Sequence, residues 1–436
     1  MRRNKISTKV LAVAVGIAIA TLLASGLVAS SLIRTAVERQ AFEKLTAVRE
    51  MKAQQIEDYF QFIRQQILTF SQDRMIVAAA GEFRQAFNRF EQDFPGNSKS
   101  SGEEFSALRT YYEKEFLTRL NKNLPEPALL QTYWPEDSAI LALQDRYISS
   151  NPNPTGEKHL LSAADDGSDY NRVHRKYHSV IRDYLEKFGY YDIFLVDPET
   201  GHIVYSVFKE VDFATSLLTG PYADTNFAEV FKAARDADDK NFVALADFDP
   251  YHPSYNAEAS FIASPIYDDS GIKVGILIFQ MPVDRINDIM TNKQAWQNVG
   301  LGASGETYLV GDDFRLRSQS RFLIEDPDKY LEAIERTGIA GETIERISNL
   351  NSAIGLQPVE TLGSRAALER GETGTNKFMD YRGVPVFSAY RPLQLEGLNW
   401  AIMSDIEESE ATEVFSDLRD RLLLIGSVLL ALSLIH

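Results

Sequence analysis

Apolar and polar positions divide this chain into three kinds of stretch. The first is a pair of unbroken apolar runs. Between Lys9 and Arg34, 24 residues carry no charge, "VLAVAVGIAIATLLASGLVASSLI". A bilayer core takes a helix of about 20 apolar residues, and a cleaved signal has only about 7–15. Residues 10–33 therefore predict an uncleaved membrane anchor. After Arg421, "LLLIGSVLLALSLI" predicts the beginning of a second transmembrane helix over 422–436, apparently truncated. A hydrophobic tail is the alternative. The second kind is helical. Ile56, Phe60, Ile63, Ile67 and Phe70 recur at steps of four and three, and Ala41, Leu45 and Val48 carry a similar seam. Such a seam faces a second copy in a homodimer or the helix's own domain. Residues 34–186 read as a long helix and a helical region, broken at "PGNSKSSG", "NPNPTG" and "ADDGSD".

The third kind begins at Gly189 and is strand-like. "YYDIFLVDPETGHIVYSVF" is β-branched and aromatic around a turn. "NFVALADF" and the hairpin "ASFIASPIYDDSGIKVGILIFQM" follow, then a helical "VDRINDIM". The pattern then recurs. "ETYLVGDDFRLRSQS" reads as strand, turn and strand, and "GVPVFSAYRPLQLEGLNWAIMSDI" as a hairpin. The repeat spans roughly 100 residues, too long for a solenoid unit, so two modules of one fold are expected. Their expected bounds are 187–290 and 291–404. A juxtamembrane helix over 405–421 follows, with Ala411, Val414, Phe415 and Leu418 on one face.

Charge changes this picture in one respect. Formal net charge is −17, with 62 acidic against 45 basic residues. Arg2, Arg3, Lys5 and Lys9 precede the first apolar run, so the remainder is more acidic still. Positive flanks stay cytoplasmic. The expected topology is a cytoplasmic tail at 1–9, residues 34–421 outside the cytoplasm, and an inner-membrane location. An acidic surface repels nucleic acid, which is not expected as a partner. The chain has no cysteine, which excludes disulfides and thiolate metal sites.

Several motifs invite chemistry that their context does not support. Gly300, Gly302 and Gly305 match G-x-G-x-x-G. A dinucleotide turn needs a strand before these glycines and a helix after them. Here the order is reversed, so they are expected to turn the chain into the second module. His174 and His178 stand at i, i+4 but lack the glutamate of H-E-x-x-H. Ser206 and Lys209 match S-x-x-K without the partner motifs of serine acylases. Ser304 in "GASGE" is not G-x-S-x-G, and no P-loop is present. No catalytic constellation, metal site or cofactor is expected.

The two strand-rich stretches resemble the sensor region of bacterial transmembrane receptors with a double Cache domain. The carriers are "GYYDIFLVDPETGHIVYSVFKEVDFATSLLTGPYADT" with "ASFIASPIYDDSGIKVGILIFQ", then "GASGETYLVGDDFRLRSQSRF" with "GVPVFSAYRPL" and "LNWAIMSDI". The resemblance covers about residues 187–410. It implies an α+β fold: two PAS-like antiparallel-sheet modules on a long N-terminal helix, flanked by transmembrane helices. It implies ligand sensing coupled to a cytoplasmic output, chemotaxis signalling first. The alternatives are the regulatory half of a nucleotide cyclase or histidine kinase, and a periplasmic protein-binding module. The family's amino-acid-binding version carries an Arg-x-Trp-Tyr signature. "DFDPYHPSYN" lacks it, so the resemblance does not imply an amino-acid ligand.

A small-molecule ligand of unknown identity is the expected partner. In the first module Tyr205, Lys209, Asp212 and Tyr222 are candidates to line its pocket, with Asp247 and Tyr251 closing it. Lysine pairs with a carboxylate, aspartate with an amine, and tyrosine gives an apolar wall with a polar tip. In the second module Tyr308, Arg315 and Arg317 are candidates. At i, i+2 on a strand the two arginines would share a face suited to an anion.

Overall fold

The computed structural model describes residues 2–93 and 105–413, with 420, 421 and 424. Helix α1 (Arg2–Ser71) is continuous for 70 residues. The expected span at 422–436 lies almost entirely outside the described residues, as do the side chains of nine of the 24 residues of the one at 10–33. Among the described residues, no helix is long and apolar enough to cross a membrane.

At Asp73 the chain turns and its carboxylate accepts from the Met75 amide at 2.8 Å. Helix α2 (Arg74–Asp93) follows. Between residues 105 and 168 lie short helices, among them Ser138–Gln144. Helix α3 (Asp169–Phe188) is capped by Ser168 and ends on Gly189 at φ 77°.

The first sheet has five antiparallel strands: β1 (Asp192–Val196), β2 (Ile203–Ser206), β3 (Ala244–Tyr251), β4 (Ala257–Tyr267) and β5 (Lys273–Gln280), in the order β2-β1-β5-β4-β3. Helix α4 (Asn226–Asp236) packs on β3 and β4. Helix α5 (Val283–Thr291) leads to the second sheet. Its strands are β6 (Glu306–Val310), β7 (Gly374–Met379), β8 (Pro385–Pro392) and β9 (Ala401–Glu407), in the order β6-β9-β8-β7. Four helices between Arg321 and Arg370 fill the connection from β6 to β7. The second order is the first without its β2 edge.

That missing edge corrects the expected strand at 315–320. The chain does return beside β6, but Leu316 makes only an isolated bridge to Val310. The Ser318 hydroxyl accepts from the Leu309 amide at 3.0 Å, where a ladder would use a carbonyl. Arg315 bridges instead to Pro358. The short helix α6 (Glu408–Ala411) follows β9 directly. The expected helix over 405–421 is thus strand at its start, and its positions 414–419 lie outside the described residues.

The seam of α1 faces its own sheets. Ile56, Phe60, Ile63, Ile67 and Phe70 are all buried within the chain. Phe60 meets Trp400 edge-on at 5.3 Å, and Phe70 lies 6.0 Å from Phe279. Nearer the N-terminus, Leu45 clusters with Phe387, Ala389 and Ile406. One helix therefore serves as a spine for both modules.

Candidate functional site

The six first-module candidates fall into three places. Asp192 organises the first. Its carboxylate accepts from the Ser206 hydroxyl at 2.7 Å and the Val207 amide at 2.8 Å. These bonds turn the chain sharply off β2, and Lys209 takes a positive φ of 61°. Lys209 is buried, with Nζ among the rings of Tyr205 (4.6 Å), Phe213 (5.5 Å) and Tyr147 (5.6 Å). It donates to the Ser206 carbonyl. Burial pulls its pKa down, and Asp192 offsets part of that. Tyr205 bonds His178 Nδ1 at 2.8 Å.

The second place lies along the same segment. The Tyr251 hydroxyl donates to Asp212 Oδ2 at 2.6 Å. Asp212 Oδ1 is buried with no hydrogen-bond partner among the described residues, and so is the Tyr222 hydroxyl. Burial pushes the Asp212 carboxyl up to about 7, against the lowering effect of Tyr251. The Tyr222 ring lies 6.0 Å from Tyr251 and 6.3 Å from Tyr133.

The helical region lies over both places. Gln144 Nε2 donates to the carbonyls of Val211 (3.0 Å) and Phe213 (2.8 Å). Its Oε1 accepts from Tyr112 at 2.8 Å. Tyr133 bonds His252 Nδ1, and Asn123 and Asn256 exchange amide bonds with backbone across the same seam. A cavity of about 10 Å³, near the size of one water, lies between Tyr111, Phe116, Lys158, Lys209, Glu210 and Tyr255.

Asp247 departs from the expected grouping. Arg317 of the second module holds it from two nitrogens at 2.8 and 3.1 Å, and Trp400 Nε1 donates to it at 2.9 Å. It is a strut between modules and does not close the pocket. The shared arginine face is corrected with it. Arg317 is buried, whereas Arg315 is exposed and donates to the Gly355 carbonyl at 3.0 Å. Tyr308 is buried and donates to Asp405 Oδ2 at 2.7 Å. Burial raises the Asp405 carboxyl to about 7. Directly across the ladder, Glu306 is also raised by burial to about 7 and accepts from Tyr381 at 2.7 Å.

His174 and His178 stack at 4.3 Å and do not point at a common ligand. His178 uses both nitrogens, on Tyr205 and the His159 carbonyl. Burial lowers both histidines, which keeps them neutral. The G-x-G-x-x-G loop holds a carboxylate of the chain itself. Glu410, on α6, accepts from the Ala303 amide (2.9 Å), the Ser304 amide (2.7 Å) and the Ser304 hydroxyl (2.5 Å). A Cβ on Gly302 would fall 2.1 Å from Glu410 Oε1, and one on Gly305 2.1 Å from the Leu301 carbonyl. Burial pushes the Glu410 carboxyl up, but these three bonds bring it below its ordinary value.

Sequence reading missed Asp192, Glu306 and Asp405. The signal was present: each is an acid inside an apolar strand run, "DIFLV", "ETYLV" and "AIMSDI". A charge in a buried strand needs a partner or a proton.

A family model described as a Cache domain matches residues 29–415. No curated protein matches the chain. Solved structures resemble it at low identity. The ligand-binding domain of the Pseudomonas aeruginosa PAO1 amino acid chemoreceptor PctC, solved with GABA, is 11% identical. That match covers 58% of this chain and 86% of the other at a TM-score of 0.31. The ligand-binding domain of the Pseudomonas fluorescens chemoreceptor CtaA, solved with L-leucine, is 12% identical over 74% and 99% at 0.31. The periplasmic sensory domain of the Campylobacter jejuni chemoreceptor Tlp1 is 13% identical over 62% and 90% at 0.32.

Proposed function

This chain belongs to the Cache domain family, and from that premise we propose that it is the ligand-sensing region of a bacterial transmembrane receptor. The first module binds a small polar molecule at Asp212, Tyr222 and Tyr251, with Tyr205 and Lys209 alongside. The observation that carries this reading is the buried pair of unpartnered groups, Asp212 Oδ1 and the Tyr222 hydroxyl. Buried polar groups without partners are costly in a fold that gains nothing from them. An amine or hydroxyl on the ligand would satisfy both. Entry requires the helical region to lift from Val211 and Phe213, so binding and movement are coupled.

Movement reaches the C-terminal end through β9, which continues into α6. The apolar runs at 10–33 and 422–436 support a membrane-anchored chain with residues 34–421 outside the cytoplasm. The output is of the chemotaxis class, with cyclase or kinase control as the alternative. A thermal-shift screen of the full chain against small metabolites tests the binding reading. A ligand at 100 times its Kd adds about 2.7 kcal/mol of apparent stability. The expected hit disappears in Asp212→Asn and survives in Arg315→Ala. A hit that ignores Asp212→Asn, or a broad screen with no shift, rejects the site.

A further inference from the structure

Two buried acids of the second module sit where α6 is held. Glu306 and Asp405 stand directly opposite each other in the β6–β9 ladder, so their side chains share one face with Cβ atoms about 5 Å apart. Both are buried, at 2% and 4% exposure. Glu306 accepts from the Arg321 amide at 2.6 Å and from Tyr381, whose hydroxyl also meets Ser320 Oγ at 2.8 Å. Asp405 accepts from Tyr308 on one oxygen. Its Oδ1 has no hydrogen-bond partner among the described residues. Ser388, opposite Asp405 on β8, weighs on the carboxyl, but its Oγ stays short of hydrogen-bond geometry and is likewise unpartnered among the described residues.

Counter-charge is scarce around this pair. A third buried acid, Asp380, pushes both carboxyls further up after burial has raised them. The charge of Arg382 reaches Glu306, but its guanidinium is committed to Asp380 at 2.7 Å and Glu407 at 3.3 Å. The Arg321 guanidinium is committed to Glu325 at 3.0 Å and to the carbonyls of Gly302 and Gly305. Tyr330 approaches from the helix Pro327–Arg336 with its hydroxyl on Gln357, and burial keeps it neutral. Two carboxylates this close in a buried ladder do not both ionise readily, so the pair retains a proton. A proton on Asp405 Oδ1 turns an orphaned acceptor into a donor, with Ser388 Oγ and Glu306 as acceptors.

The place of the pair in the fold gives this proton a consequence. Both supports of α6 start from it. β9 runs from Asp405 through Glu407 directly into α6. Two residues before Glu306, Ser304 holds Glu410 with its amide and hydroxyl, and its Oγ accepts from the Glu407 amide at 3.1 Å.

We propose that Glu306 and Asp405 form a proton switch on the output side of the fold. With a proton on the pair, β6 and β9 stay closed and α6 is held at both supports. When that proton passes to water, two like charges face each other across the ladder, the strand ends part and α6 is released. Both carboxyls are raised to about 7 in the fold, above their ordinary 4.5 and 3.8. The closed form is therefore favoured on the acid side and weakens as pH rises through that value. The inference rests on the reading of α6 as the output end and is independent of the first-module pocket.

The chain has no cysteine, so a nitroxide on Ser409→Cys, an exposed position of α6, reports on this helix alone. Electron paramagnetic resonance of the labelled full chain between pH 5 and 9 tests the proposal. The expected result is one reversible step near pH 7, from an immobilised label to a mobile one. Glu306→Gln and Asp405→Asn each abolish the step and keep the label immobilised. Each lies on its own strand, so either one that folds by circular dichroism carries the test. Asp212→Asn removes a first-module carboxyl that titrates in the same range and leaves the step in place. Four results overturn the proposal. The first is a label with no step. The second is a step that survives either second-module substitution. The third is a step lost in Asp212→Asn, which moves the switch to the first module. The fourth is loosening that coincides with loss of the far-ultraviolet helix signal, which marks global unfolding only.

Discussion

The two sheets carry one motif in two settings. In each, a buried carboxylate raised to about 7 accepts a tyrosine hydroxyl on one oxygen: Asp212 from Tyr251 at 2.6 Å, Asp405 from Tyr308 at 2.7 Å. In each, the other oxygen is buried without a hydrogen bond among the described residues. Each sheet also has a buried glutamine accepting from a tyrosine, Gln144 from Tyr112 and Gln357 from Tyr330. The settings differ in reach. Asp212 lies in a segment outside the ladder, and Gln144 reaches it from a separate helical region. Asp405 lies within β9, and Gln357 donates only to its neighbour Pro358. The first module is held shut by parts that can separate. The second is closed by its own ladder. That difference is in keeping with the proposal that the first module binds and the second transmits.

Three experiments break or sharpen this comparison. The largest effect is on pH dependence. Asp212 and Asp405 have folded values near 7 against an ordinary 3.8. The fold keeps protons that the unfolded chain releases. Their stabilising contribution is complete below about pH 4 and is lost as pH rises towards 7. Each group adds a downward slope of up to about 1.4 kcal/mol per pH unit in that window. Buried His174 and His178, lowered in the fold, slope the other way over part of it. The readout is therefore a difference. Denaturant melts of wild type, Asp212→Asn and Asp405→Asn between pH 4 and 7 should show both variants losing the same slope. A flat difference for one of them breaks the parallel.

Next in size is the contrast of the glutamines. Gln144→Ala strips a donor from two carbonyls and an acceptor from Tyr112. Loss of buried bonds of this kind costs about 3 kcal/mol in sum. Gln357→Ala should cost about 1–2 kcal/mol, since its amide serves one adjacent carbonyl. Hydrogen exchange should add a signature: faster exchange at 211–213 in the first variant, with no spread beyond 353–359 in the second. Equal costs would mean that the helical region is as integral as a ladder. The smallest effect is on the tyrosines. Tyr251→Phe and Tyr308→Phe should each cost about 1 kcal/mol by chemical denaturation. A difference well above that shows that one acid leans on its tyrosine more than the other.

The chain disclosed its ladders more readily than its site. β1, β4, β5, β8 and β9 are runs of branched and aromatic residues between turn signals, and they are strands. β7, "GTNKFM", is a polar edge and gave no such signal. The segment after β6 looks like a strand, but the Ser318 side chain replaces a ladder acceptor, which periodicity cannot show. Of the candidate site residues, Tyr205, Lys209, Asp212, Tyr222 and Tyr251 were visible as polar and aromatic groups near strand ends. Their division into two clusters was not, because Gln144, Tyr147 and His178 set it from distant sequence. Asp247 was misplaced for the same reason: its partners lie 70 and 153 positions away.

The glycine-rich loop has a mechanical consequence. A helix hung only from the end of a strand can swivel about that single joint, passing on displacement but little rotation. Glu410 gives α6 a second bearing, on the amides of Ala303 and Ser304. Two bearings fix heading as well as position. A twist of the second sheet then becomes torque on whatever follows residue 411. If Glu410 lets go, the same twist turns the sheet and leaves the helix idle.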